Sequence, residues 1–141
     1  MIKASGAIFM SSSTGRICLF LRSQTVSHSN TWGFVGGKIN NDETIINGLV
    51  REINEEMGFM PKYKSIIPID VFQSVDLNFK YYSVVIVVEN EFCPILNNEN
   101  SGYGWFDFNV LPKPLHSGAN SLLNKSTVKS ILVDIRKDFT S

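Results

Sequence analysis

Between Asp42 and Met57, apolar residues return every three or four positions: Ile45, Ile46, Leu49, Val50, Ile53 and Met57. That period predicts an amphipathic helix, and Gly58 supplies its stop. A helix with one apolar stripe has to lay that stripe against another layer, so the rest of the chain must provide one. At about 100° per residue, Glu52, Glu55 and Glu56 fall on one narrow strip along the Ile45 edge of the stripe. Their carboxylates are therefore expected to border the core and to repel one another.

The flanking segments read as strands. Lys3 to Met10 is apolar and small, Ser11 to Gly15 is turn chemistry, and Arg16 to Arg22 alternates, which together predict a hairpin. After a polar loop from Ser23 to Thr31, Trp32 to Gly37 combines aromatic bulk with three glycines. Ser65 to Val75 and Tyr81 to Val88 are rich in β-branched and aromatic residues, with Asp76-Leu77-Asn78 able to turn between them. A polar run, Asn97 to Gly102, precedes a short strand at Tyr103 to Phe108 and a proline-containing connection at Leu111 to Pro114. One closing amphipathic helix is expected to place Leu123, Val128, Ile131, Leu132 and Ile135 on a single face. The sum is an α/β chain with a mixed sheet and helices on both faces. With 141 residues, it is expected to form one domain over 1–141.

Thirteen basic and thirteen acidic residues cancel, which leaves no global field to hold a nucleic-acid backbone or an anionic membrane, so neither is expected as a partner. The longest aliphatic run, Val84 to Val88, is far below the ~20 residues of a membrane helix, and no signal-peptide pattern opens the chain. A soluble cytoplasmic protein is expected. Cys18 and Cys93 sit in apolar strand-like surroundings without metal-ligand spacing, and both are expected as buried free thiols.

Like charges at i, i+3 and i+4 cost roughly 0.2–0.5 kcal/mol each when exposed, and more where water is scarce. A cation would relieve that repulsion, and hard carboxylate oxygens suit magnesium or manganese. A solvated acidic helix face is the alternative for an isolated E-x-x-E-E. The surrounding residues favour the cation: Gly37, five residues, Glu43, seven residues, then Arg51-Glu52-Ile53-Asn54-Glu55-Glu56-Met57-Gly58-Phe59.

That stretch resembles the Nudix box, G-x5-E-x7-R-E-U-x-E-E-x-G-U with U a bulky apolar residue, at every specified position. A chance match at a fixed place has a probability on the order of one in a billion. The resemblance implies a Nudix fold, an α/β/α sandwich. It also implies a Mg2+-dependent pyrophosphohydrolase, with Mn2+ as a substitute, acting on a nucleotide-like small molecule. Glu52, Glu55 and Glu56 with the backbone carbonyl of Gly36 are the implied metal set. Glu99, in the polar loop before Trp105-Phe106, is similar to a family glutamate that supplies a further ligand or the base, so the base is either Glu52 or Glu99. Gly37, Glu43 and Arg51 are implied to orient the box, the last two through ion pairing. Val35 stands where many members carry proline.

Phe34, Tyr81 and Trp105 are candidate substrate contacts by stacking, with core packing as the alternative, and Trp32 and His116 have a similar standing. Specificity in such a fold comes from loops and pocket walls. The box is compatible with a nucleoside diphosphate linked to another moiety: ADP-ribose, a dinucleoside polyphosphate or a nucleotide sugar. An ordinary or oxidised nucleoside triphosphate is the second choice. A non-catalytic binding module would be signalled by lost acids in the box, and here all are present. A homodimer is compatible with a family of this kind.

Overall fold

The structure, a computed structural model, describes residues 1–139. Among these, seven strands form one mixed sheet: β1 (Ile2–Ser11), β2 (Ile17–Arg22), β3 (Trp32–Gly33), β4 (Val35–Lys38), β5 (Ser65–Gln73), β6 (Phe79–Val88) and β7 (Asn100–Phe106). The helices are α1 (Ile45–Met57), α2 (Ser117–Asn124) and α3 (Ser126–Phe139). The central pair, β1 and β6, runs parallel from Ile2↔Phe79 to Ser11↔Val88, and antiparallel β5 forms the edge beyond β6.

Side-chain alternation on the central strands feeds two apolar layers. Ile8 and Met10 of β1, Ile17 and Leu19 of β2, and Val85 and Val87 of β6 pack with Leu122, Leu123, Val128, Leu132 and Ile135 of α2 and α3. The intervening Ala7, Phe9, Cys18, Phe20, Val84 and Ile86 pack with Leu49, Ile53 and Met57 of α1. Strands buried on both faces read as near-continuous apolar runs, which is how β1 and β6 look in the sequence. This is the expected α/β/α sandwich.

The expected hairpin is closed by its turn, with Ser11 N–H donating to Arg16 O at 3.0 Å, but its ladder is short. β1 pairs β2 only at Met10↔Ile17, because Ala4 to Ala7 of β1 pair with β4 instead, while β2 continues with β7 and β3. On the edge of β1 away from β6, β2 and β4 divide its length.

Other expectations need correction. The first helix starts at Ile45 rather than Asp42, because the Thr44 side chain caps it by accepting from Asn47 N–H at 3.1 Å. Gly58 ends it as expected, in the left-handed region at φ 79°. The fifth and sixth strands are Ser65–Gln73 and Phe79–Val88, since Ser74, Asp76 and Leu77 form a wider turn. The last strand spans Asn100–Phe106 rather than Tyr103 to Phe108, its polar start held by pairing to Arg22. The closing helix is two helices, broken where Lys125 adopts extended geometry (φ −69°, ψ 128°) and its ammonium bonds Asp70. Cys93 is exposed rather than buried, on the irregular segment after β6, whereas Cys18 is a buried free thiol. Among the described residues no helix is long and apolar enough to cross a membrane.

Candidate active site

α1 lies on β1 and β4 with a stripe that includes an acid. Its buried residues are Gly48, Leu49, Ile53, Glu56 and Met57, whereas Ile46 is exposed. Glu56 is only 6% exposed. Its Oε2 accepts from the Gly36 N–H at 2.8 Å, which fixes the carboxylate against β4. Burial pushes its pKa up to about 8, assisted by Glu99 and Glu52 and opposed by the Gly36 bond. Burial also raises the Glu52 pKa, with Glu55 and Glu99 adding to the rise and Arg51 opposing it.

Two glycines make this approach possible. A Cβ on Gly37 would stand 2.5 Å from the Glu52 carboxyl carbon, so the carboxylate occupies the space a side chain would take. A Cβ on Gly36 would strike the Ser5 carbonyl oxygen and meet Gly6 Cα at 2.6 Å. That position is where β4 sits against β1 at Gly6↔Gly36.

Arg51 gathers the remaining charges. Its Nε and Nη2 donate to the two oxygens of Glu43 at 2.8 and 2.9 Å, Nη2 also reaches Lys38 O at 2.9 Å, and Nη1 reaches Glu52 at 3.2 Å and Glu55 at 3.3 Å. The Arg51 bonds hold the Glu43 carboxyl below the usual carboxylate range. One guanidinium thus joins the loop before α1, the end of β4 and the acidic strip. A point-charge lysine cannot make that fork. Arg51→Lys is expected to lower kcat/KM by roughly 10–100-fold, the range for groups that orient a site's ligands, as measured by steady-state kinetics with a circular-dichroism check of folding.

Glu99 is an exposed loop acid, yet its carboxylate comes within hydrogen-bonding reach of Glu56. Asn97 secures it there: Asn97 Oδ1 accepts from Glu99 N–H at 2.9 Å, and Asn97 Nδ2 donates to the Glu55 carbonyl at 3.1 Å. Glu52, Glu56 and Glu99 are therefore brought together, with Gly36 and Gly37 beside them. Glu55 is turned outward onto Arg51, its side chain 56% exposed. Among the described residues no three His, Cys, Asp or Glu side chains stand as a finished cation cage. Three acids in the last two turns of α1, with no basic residue in its final turn, are placed at the unfavourable end of the helix dipole.

Gly36 and Gly37 also line a cavity of about 530 Å3 on the α2 face of the sheet. Phe34 and Tyr81 line it too. Trp105 belongs to the α1 layer, where its Nε1 donates to Phe92 O at 3.1 Å. Trp32 packs in the other layer, edge-on to Phe106.

The NUDIX domain profile matches residues 2–125. The chain belongs to the NUDIX family. It is 32% identical over 116 residues to mRNA-decapping enzyme subunit 2 of Saccharomyces cerevisiae, a match that covers 77% of this chain and 10% of that protein. The chain therefore spans about a tenth of the length of the curated relative it matches. Among solved structures, the Nudix hydrolase RenU from M. smegmatis superposes with TM-score 0.77 at 18% identity, covering 94% of this chain and 86% of that one. The NUDIX domain of Shewanella oneidensis NrtR, solved with ADP ribose, gives 0.71 at 18% identity, covering 94% and 88%. At that identity the two structures speak for the fold.

The Nudix box carries a clear periodic and charge signature, but several residues around it do not. Asn97 is one of a run of polar loop residues, and nothing local marks it as the tether of Glu99. Arg22, His28, Asp70 and Lys125 all line the cavity, although they are scattered along the chain. One signal was available for Asp70: Pro68 inside a strand pattern marks an edge strand or a bulge.

Proposed function

We propose that the protein is a Mg2+-dependent Nudix pyrophosphohydrolase, with Mn2+ able to substitute. Its substrate would be a nucleoside diphosphate linked to another moiety, such as ADP-ribose, a dinucleoside polyphosphate or a nucleotide sugar. The observation that carries this is the gathering of Glu52, Glu56 and Glu99 beside Gly36 and Gly37, two glycines that also line a cavity large enough for a nucleotide.

The residues fit a divalent cation by the chemistry of their donors. Glu52 and Glu56 are hard oxygen ligands held partly out of water, and burial raises their pKa values, with the neighbouring carboxylates adding to the rise. Glu52, Glu55, Glu56 and the Gly36 carbonyl would hold the ion, with Glu55 swinging away from Arg51. When bound, it would neutralise the diphosphate and lower the pKa of the attacking water. The chain's own residues do the rest. Arg51 holds Glu52 in line, the Gly36 N–H fixes Glu56, and Glu99 accepts the proton from the water that attacks phosphorus. The nucleotide part lies in the cavity, where Phe34 and Tyr81 contact it.

Glu99→Gln keeps the loop's shape and removes the acceptor. Turnover is expected to fall by about 10²-fold or more with KM little changed. An unchanged rate in steady-state assays would transfer the base to Glu52. The test of the whole proposal is chromatographic product analysis with Mg2+ and an EDTA control, across ADP-ribose, diadenosine polyphosphates, nucleotide sugars and nucleoside triphosphates. Metal-dependent cleavage at a diphosphate bond supports it; binding across the panel without cleavage overturns it in favour of a non-catalytic module.

A further inference from the structure

The cavity has a second polar end, far from the carboxylates. Three ladder registers fix its position: Gly36 is opposite Gly6, Gly6 is opposite Ser83, and Ser83 is opposite Asp70. These four residues form one row across β4, β1, β6 and β5, so Gly36 and Asp70 are separated by three strand spacings, roughly 14 Å. The row begins at the backbone that seats Glu56 and ends at a carboxylate, and all four residues line the cavity.

Asp70 faces the cavity because β5 carries an extra residue. Pro68 is opposite Val84 and Asp70 is opposite Ser83, which leaves Ile69 unpaired as a bulge. Ile67 and Ile69 both pack in the α2–α3 layer. Without the bulge, strict alternation would send Asp70 to the opposite face. With it, Asp70 and Phe72 follow Ile69 onto the cavity side. A charge turned inward beside an apolar wall is costly unless it has a partner. Its partner is Lys125, whose Nζ donates to both Asp70 oxygens at 3.1 and 2.9 Å from the break between α2 and α3. The Asp70 side chain is 17% exposed. Phe72, Phe79 and Tyr81 line the same end, their ring centroids stepping 6.4 Å apart along the wall.

A carboxylate has about four lone-pair sites and an ammonium three donors, so the pair keeps hydrogen-bonding capacity after meeting itself. What it offers to the cavity is two acceptors beside one donor, next to aromatic faces. We propose that Asp70 and Lys125 read the base of the substrate and that this base is guanine. Guanine presents, in a row, the acceptor O6 and the donors N1–H and N2–H, which matches one donor and two acceptors. Adenine offers one donor and one acceptor on the corresponding edge, so one Asp70 oxygen would go unmet. Hypoxanthine keeps O6 and N1–H and lacks only the amino group. This deepens the hydrolase proposal, rests on its placement of the nucleotide in the cavity, and narrows its substrates to the guanosine members, such as a guanosine nucleotide sugar or a diguanosine polyphosphate, in place of ADP-ribose. A purely structural ion pair, pinning α2 and α3 to β5, is the competing role.

The test separates these roles through ratios. Calorimetric titration of the metal-free protein with GMP, IMP and AMP is expected to show GMP binding roughly 10–100-fold tighter than IMP or AMP, the range for a hydrogen bond to a charged group. Asp70→Asn, nearly isosteric, is expected to bring the GMP:IMP and GMP:AMP ratios close to one, whereas Lys125→Met, which removes the donor to O6, is expected to lower GMP:AMP and leave GMP:IMP near its wild-type value, with folding checked by circular dichroism. Loss of a merely structural pair would weaken all three nucleotides alike and leave the ratios untouched. Equal binding of the three by the wild type, no binding of any, an unchanged GMP:IMP ratio in Asp70→Asn, or an unchanged GMP:AMP ratio in Lys125→Met overturns the proposal. Because the protein is metal-free and the ligands are monophosphates without a diphosphate bond, the outcome is independent of catalysis. Selective binding without hydrolysis keeps the guanine assignment and sinks the hydrolase; hydrolysis of the substrate panel without guanine preference does the reverse.

Discussion

Replacing Glu56 with glutamine is expected to lower turnover by a factor on the order of 10²–10⁴ while leaving the fold intact and the metal-free protein more stable above neutral pH. Both effects come from one position. Glutamine retains the oxygen that accepts from Gly36 N–H, so β4 keeps its seat on α1. What disappears is a charge in a nearly buried position facing Glu99 and Glu52. The sign of the pH dependence follows. With a folded pKa of about 8, above the ordinary 4.5, Glu56 stays protonated in the fold while an unfolded chain would release the proton. Its contribution is fully present below the unfolded pKa and is lost as pH rises through about 8, a loss on the order of a few kcal/mol. Thermal melts in EDTA should therefore show the wild type losing stability from pH 5 to 8, with Glu56→Gln losing much less. Added Mg2+ should recover part of the wild-type loss at pH 8 and little in the variant. Wild-type turnover by Glu56→Gln would remove Glu56 from the chemistry.

The second large effect separates two adjacent glycines. The three atoms nearest a methyl group on Gly37 all belong to the far end of the Glu52 side chain, which can rotate away. Gly37→Ala is therefore expected to fold with a Tm within a few degrees of wild type and to lose about 10²-fold or more in kcat, because the displaced carboxylate leaves its seat. At Gly36 the obstruction is backbone, Ser5 O and Gly6 Cα, and neither can yield without parting β4 from β1. Gly36→Ala is expected to lower the Tm by roughly 10 °C or more. Melting curves and kinetics on the same two preparations decide it. A Gly37→Ala protein with full activity would mean that Glu52 works from some other position.

The acidic helix and the two-faced layering were legible in the sequence because each rests on a local period: 3.6 for the stripe of α1, two for β1, β2 and β6. The stripe misled only at its margin. Ile46 counts as apolar by type but is exposed, and Glu56 takes a place in the buried set. Polarity alone could not reveal that exchange, because it depends on β4 delivering a backbone N–H to the carboxylate. The closing helix looked continuous, since Leu123 and Val128 do fall in one apolar layer; the break at Lys125 answers to Asp70, fifty-five residues earlier. The hairpin was legible as a turn but not as a ladder, because the partner that displaces β2 from β1 is β4, whose glycines carry no β propensity. Of the candidate contacts, Phe34 and Tyr81 line the cavity, whereas Trp105 packs in the α1 layer on the other face of the sheet. Aromatic residues in strands look alike until the face they occupy is known.

Ile69 amounts to one extra codon that β5 absorbs as a bulge. Removing that one codon would restore strict alternation at the cost of a buried isoleucine, and would leave Asp70 opposite Ser83 and Phe72 opposite Tyr81, on the cavity side as before. The box helix, Arg51 and the glycine seats would be untouched, since none of them pairs with β5. A lineage carrying this architecture can therefore gain or lose the bulged residue in frame while both ends of its cavity are inherited unchanged.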